Sequence, residues 1–203
     1  MIKIGTRAGI LAQKQADPLL RILDQNELDY AVVIYDNENG EAGASDPEEN
    51  DYFTKEMDDA LLKGEIDIAV HPLTTISPEK RGDLVTSGIS ERSDPSDLLL
   101  IRKDAYVETN SFKLKENARV GVSSKRQQVL IAHFRPDIRI EKIDGDIGFC
   151  IEVLRAEELD GLIVSKANMD LLEIDVFDFE NLVLNPREFV PAPGQGVIAY
   201  QTR

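Results

Sequence analysis

Cysteine, histidine, positive charge and long apolar runs are all scarce in this chain, and each scarcity removes a class of explanation. A single cysteine, Cys150, rules out an intramolecular disulfide framework and cannot by itself build a structural zinc site. Two histidines, His71 and His133, lie too far apart in sequence for a metal motif, so no metal is expected. No window reaches the ~18 consecutive apolar residues of a membrane span, and the opening MIKIGTRAGI lacks the basic and apolar regions of a secretory leader. The reading is therefore a cytoplasmic protein with no membrane partner. Acidic residues outnumber basic ones 38 to 23, for a net charge of −15. Such a surface repels phosphate backbones, which counts against nucleic acid as a partner and assigns most of the charge to solubility. A local cluster of Lys and Arg is the one route to a pocket for a small anion.

The 203 residues, 42% of them hydrophobic, bury roughly two-thirds to three-quarters of their unfolded surface, enough for one large domain or two small ones. Short β-branched runs alternate with helical periodicity, the signature of βαβ units, so the predicted class is α/β with mixed, mostly parallel sheets. The chain opens with strand Ile2 to Gly5, a helix from about Ala8 to Gln25 with Pro18 inside it, and strand Ala31 to Tyr35. Asn37 to Asp51, NENGEAGASDPEEND, has no apolar residue larger than alanine and predicts an exposed, mobile loop. Next come a helix over Thr54 to Lys63, a Gly64 stop, a buried strand Ile66 to Val70 and a loop from His71. Leu84 to Ile89 and the apolar run Leu98 to Ile101 follow.

The same order then recurs: strand Arg119 to Val122, helix Ser124 to Phe134, strand Ile138 to Ile143, helix Ile147 to Ala156 and strand Gly161 to Val164. A short strand Leu182 to Leu184 and the PAPGQG stretch at Pro191 close the chain. Two copies of one pattern predict two similar lobes, residues 1–102 plus 187–203 and residues 103–186, with a cleft between them. Ligands of open α/β sheets bind at the carboxyl ends of strands, beside helix N-termini. Thr6-Arg7 follows the first strand, and Ser123-Ser124-Lys125-Arg126 follows the first strand of the second lobe. Both positions offer backbone N–H donors, hydroxyls and cations to an anion.

Four collinear segments add a family resemblance: IKIGTRAGILAQKQAD at Ile2, FTKEMDDALLKGEIDIAVH at Phe53, ARVGVSSKRQQ at Ala118 and PAPGQGVIA at Pro191. With DPSDLLL at Asp94 they span the chain, and the set resembles the porphobilinogen deaminase (hydroxymethylbilane synthase) family. The resemblance implies two lobes built like those of periplasmic binding proteins, with the last strand returning to the first lobe. It also implies a chemistry. Members of the family join four porphobilinogen units head to tail, releasing ammonia, on a dipyrromethane cofactor held by a thioether to a cysteine of a third domain. An aspartate beside the pyrrole nitrogens must stabilise developing positive charge, and arginines and lysines must hold acetate and propionate groups.

By that resemblance Arg7, Lys55, Ser123, Ser124 and Arg126 are the ligand-binding candidates. Other positions depart from the family. Gly9 stands where the family has serine, Thr74 where it has lysine, Thr75 where it has the catalytic aspartate, and Gln127 where it has a second arginine. Asp144 and Cys150 replace arginines, and Asp170 lies near a further one. The chain ends at Arg203, after the PAPGQG strand, so the third domain, its attachment cysteine and the dipyrromethane cofactor are expected to be absent. The implied function is a tetrapyrrole-biosynthesis homologue without full synthase activity that binds, at most, a small carboxylated ligand. A split or truncated synthase completed by another chain, and a scaffold with nothing in the cleft, are the alternatives. The sequence designates no protein partner.

Each candidate also has a plain structural role open to it. Ser124 suits a helix N-cap, Arg7 a surface ion pair, and Lys55 a solvated cation beside Asp59, while Lys125 and Arg126 can pair with nearby acids. His71 reads as a structural histidine and Cys150 as a small buried apolar residue. Asp144 and Asp146 flank a turn and fall far short of a calcium shell, and the PAPGQG glycines serve backbone geometry.

Overall fold

The computed structural model describes residues 1–35, 47–79 and 81–203. In chain order its elements are β1 (Ile2–Arg7), α1 (Ile10–Gln25), β2 (Tyr30–Tyr35), α2 (Pro47–Lys63), β3 (Ile68–Pro72), β4 (Val85–Ile89) and β5 (Asp97–Arg102). They continue with β6 (Arg119–Val122), α3 (Lys125–Phe134), β7 (Arg139–Lys142), α4 (Ile147–Arg155), β8 (Gly161–Ser165), α5 (Lys166–Leu172), β9 (Phe179–Val183) and β10 (Ile198–Thr202). Two five-stranded sheets result, ordered β2-β1-β3-β10-β4 and β7-β6-β8-β5-β9. In the first, β1 runs parallel to β2 and β3, while β10 is antiparallel to both of its neighbours. In the second, β6 runs parallel to β7 and β8, and β5 is the reversed strand. Four strands of each sheet thus share a direction and the fourth in spatial order opposes them, the mixed and mostly parallel α/β arrangement that the sequence predicts.

The described residues form two compact units, one within Met1–Asn39, Pro47–Ser93 and Pro193–Arg203, the other comprising Asp94–Ala192. The boundaries expected at 102 and 187 fall instead at 93/94 and 192/193: Phe189 packs in the second unit's core, and β5 belongs wholly to the second sheet. Its run Leu98 to Ile101 is buried on both faces: Leu99 and Ile101 pack with Val120, Ile131 and Ile163, and Leu98 and Leu100 with Ile151, Leu154 and Leu162. Burying each such side chain is worth roughly 1.5–3 kcal/mol, and a strand covered on both sides reads as continuously apolar.

In the first unit, α1 covers one face through Ala16, Leu19 and Leu23 against Ile4 and Val70. On the other face α2 places Met57, Ala60 and Leu61 against Ile66, Ala69 and Leu84. Pro18 lies within α1 without ending it. Part of the loop expected over Asn37 to Asp51 is instead helical. Residues 37–46 lie outside the described residues, but α2 begins at Pro47, a residue whose fixed φ and missing N–H suit the first helical position. α5 has no counterpart in the sequence reading: it is short, starts directly from β8, lacks a side-chain cap and stops at Glu173 with φ 54°.

Candidate functional site

The first unit brings Arg7, Glu56 and His71 to one end of its sheet. β1 and β3 are parallel neighbours, so Arg7 and His71 emerge at the same end. The Arg7 guanidinium is buried, and its Nη1 meets Glu56 Oε2 of α2 at 3.2 Å. Burial holds the Arg7 pKa below its ordinary value and Glu56 opposes that effect. Lys55, the preceding residue of α2, is exposed, and its carbonyl accepts from Arg81 Nη1 at 2.9 Å. His71 is fully buried, and neither ring nitrogen has a hydrogen-bond partner among the described residues. Desolvation, reinforced by the nearby Arg7 charge, pulls its pKa down to about 3.

The loop after His71 is a single 3-10 turn, Leu73–Thr75. The Thr75 hydroxyl donates to the Pro72 carbonyl at 2.8 Å, and Thr75 is buried. The turn is pinned from behind. Leu73 N–H donates to Val197 O at 2.9 Å, and the Leu73 side chain fills the space beside Gly194, where a Cβ would lie 2.9 Å from it. Gly194 has φ +77°, so the residue is constrained by backbone conformation as well as by space. The Gln195 carbonyl accepts from Arg92 Nε at 3.0 Å, which fixes the rest of the PAPGQG turn.

The second unit gathers Ser123, Ser124, Arg126 and Gln127 around Asp97. Ser124 is the N-cap of α3, its Oγ accepting from Gln127 N–H at 3.2 Å. Gln127 Oε1 accepts from Ser123 N–H at 3.1 Å and from the Ser123 hydroxyl at 3.3 Å, while Gln127 Nε2 donates to Asp97 Oδ1 at 2.9 Å. Arg126 Nη2 donates to the same oxygen at 3.1 Å. Its Nη1 lies 2.9 Å from Asp97 Oδ2, an ion-pair contact out of hydrogen-bond alignment, and donates to Val190 O at 2.9 Å. The Phe189 ring lies 5.9 Å from the guanidinium carbon. Asp97 is fully buried. The sequence placed it within the DPSDLLL segment of the family resemblance, ahead of an apolar run, but did not single it out as a site residue.

The family model described as "Porphobilinogen deaminase, dipyromethane cofactor binding domain" matches residues 2–203. The chain belongs to the porphobilinogen deaminase family. It is 32% identical over 205 residues to the porphobilinogen deaminase of Thermus thermophilus, covering 100% of this chain and 65% of the relative. It is 30% identical over 212 residues to that of Alkaliphilus metalliredigens, covering 100% and 64%. The chain thus spans less than two-thirds of the length of these relatives. Solved structures share the fold at low identity. The aliphatic sulphonate binding protein of Escherichia coli aligns with TM-score 0.54 and 15% identity over 99% of this chain and 64% of its own. The arginine-specific periplasmic binding protein of Salmonella typhimurium gives 0.53 and 10% over 100% and 84%.

At the remaining positions where the family resemblance implies arginines, Asp144 is exposed and 3.5 Å from Lys142, and Cys150 is a buried free thiol. Burial pushes that thiol up to about 11, with Asp146 and Asp144 adding to the effect. Asp146 caps α4 by accepting from Phe149 N–H at 2.7 Å. Asp170 pairs with Lys166 at 2.5 Å. Among the described residues no group of three or more His, Cys, Asp or Glu is placed to hold a metal, and no helix is long and apolar enough to cross a membrane.

Proposed function

We propose that this chain is a porphobilinogen deaminase homologue of tetrapyrrole biosynthesis, working in the cytoplasm, that does not by itself carry out hydroxymethylbilane synthesis. The observation that carries the reading is the Thr75 turn: a buried neutral hydroxyl donates to Pro72 O at the position where the resemblance implies the family's catalytic aspartate. A hydroxyl can hydrogen-bond to a pyrrole but cannot stabilise its developing positive charge as a carboxylate does. Loss of one preorganised stabiliser costs about 10²–10³ in rate.

The donor set does not fit a dipyrromethane, whose acetate and propionate groups call for cations aimed at them. Arg126 is engaged by Asp97 and Val190 O, Arg7 by Glu56, and no cation stands at Thr74, Thr75, Gln127 or Cys150. A small carboxylated ligand at Arg7 and Lys55, the pair that the resemblance implies, would have to compete with Glu56 for the Arg7 guanidinium.

The test is incubation of the full chain with porphobilinogen, following its consumption and the absorbance of oxidised porphyrin, together with the intact mass of protein made in a haem-producing host. No turnover and an unmodified mass are expected. Turnover at a normal rate, or a covalent adduct of dipyrromethane mass, overturns the reading.

A further inference from the structure

The Ser123 N–H and hydroxyl and the Arg126 guanidinium, donors that a ligand anion would use at the start of α3, are engaged by the chain's own side chains, and we infer that Gln127 is the residue that closes the Ser123 donors to an anion. The inference rests on the reading above, that groups which would hold a carboxylated family ligand are engaged within the chain. Glutamine is suited to the task because it carries an acceptor and a donor on one amide. Its Oε1 takes the Ser123 N–H and the Ser123 hydroxyl, and its Nε2 reaches Asp97. Asp97 in turn meets Arg126 with both oxygens. Of the groups the sequence offers to an anion here, Ser123, Ser124 and Arg126 therefore already have an internal counterpart in Gln127 or Asp97, while Lys125 is exposed.

An arginine at 127 carries donors only. It would reach Asp97 but accept nothing, and the Ser123 N–H would then be left pointing outward for a ligand oxygen. One residue thus converts an open anion site into a closed hydrogen-bonded cluster. The ligand class follows: a carboxylate or sulfate loses the Ser123 N–H and hydroxyl as donors at the start of α3 as long as Gln127 holds them.

Amide NMR of the isotope-labelled full chain, titrated with porphobilinogen and separately with sulfate, tests this. In the wild type the Ser123 and Ser124 amide resonances stay fixed, and the Ser123 amide is protected from solvent exchange. In Gln127→Ala that protection falls about tenfold, the loss of one hydrogen bond, and both resonances move saturably with at least one of the anions. Gln127→Met keeps the side-chain length without the acceptor and gives the same result should the alanine variant lose its fold. The inference is overturned if the wild-type resonances saturate at the same concentration as the variant's, or if neither anion moves them in a folded variant. Porphobilinogen turnover by the wild type would instead defeat the proposed function and leave the amide result standing, so the two failures are distinguishable.

Discussion

A single hydroxyl holds the turn that follows β3. Thr75 is wedged into its own turn, and an aspartate there would face the Pro72 carbonyl with an acceptor instead of a donor. Thr75→Asp is expected to cost about 1–3 kcal/mol in urea denaturation and to leave porphobilinogen unconsumed. Recovery of turnover by this change alone would show that Gln127, Asp144 and Cys150 matter less than proposed. Arg126 makes the complementary case. Its removal strands a buried carboxylate, so Arg126→Ala should lose about 3–5 kcal/mol, while adding Asp97→Asn should return part of it. A double-mutant cycle measures the coupling, and strictly additive losses would argue against the pair. Asp97 was illegible in the sequence because its burial is decided by a helix 29 residues away, whereas Ser124 was legible as a cap because capping is local chemistry.

Elements with sharp local signals matched the sequence closely and those set by tertiary packing did not. β6 has the bounds that its β-branched run predicts, Arg119–Val122, and α3 starts directly after Ser124. α5 was missed because a seven-residue segment with one buried residue, Met169, has too little periodicity to register. β3 carries a consequence for pH. His71 takes a proton in the unfolded chain near pH 6.5 but stays neutral in the buried strand down to about 3. Between those values the unfolded state binds more protons, so stability falls as pH is lowered, with a limiting slope of about 1.4 kcal/mol per pH unit, and levels off below the lower value. Urea midpoints taken at pH 7, 6 and 5 should decline, and His71→Leu should flatten that decline. An unchanged slope in the variant would place the proton uptake elsewhere.

At the scale of the whole chain, the two-lobe plan was legible because the strand and helix order recurs, yet the partition was not. Which sheet β5 joins depends on Leu98 to Ile101 finding β8 and β9, a choice that local pattern does not encode. β10 sets the matching problem in the first unit, where it separates β3 from β4. A chain ending at Ala192 should therefore lose amide protection in β3 and β4 while β6 and β8 keep theirs, as hydrogen exchange would report; protection of β3 and β4 in that chain would contradict the sheet order. The same placement sets a timetable for synthesis. β10 is made roughly a hundred residues after β4, so at about 5–20 residues per second a nascent chain holds its first sheet unfinished for ~5–20 seconds while the whole second unit is translated. During that interval the flanks of β3 and β4 are open to any passing strand, and the second unit has time to fold before the first can close.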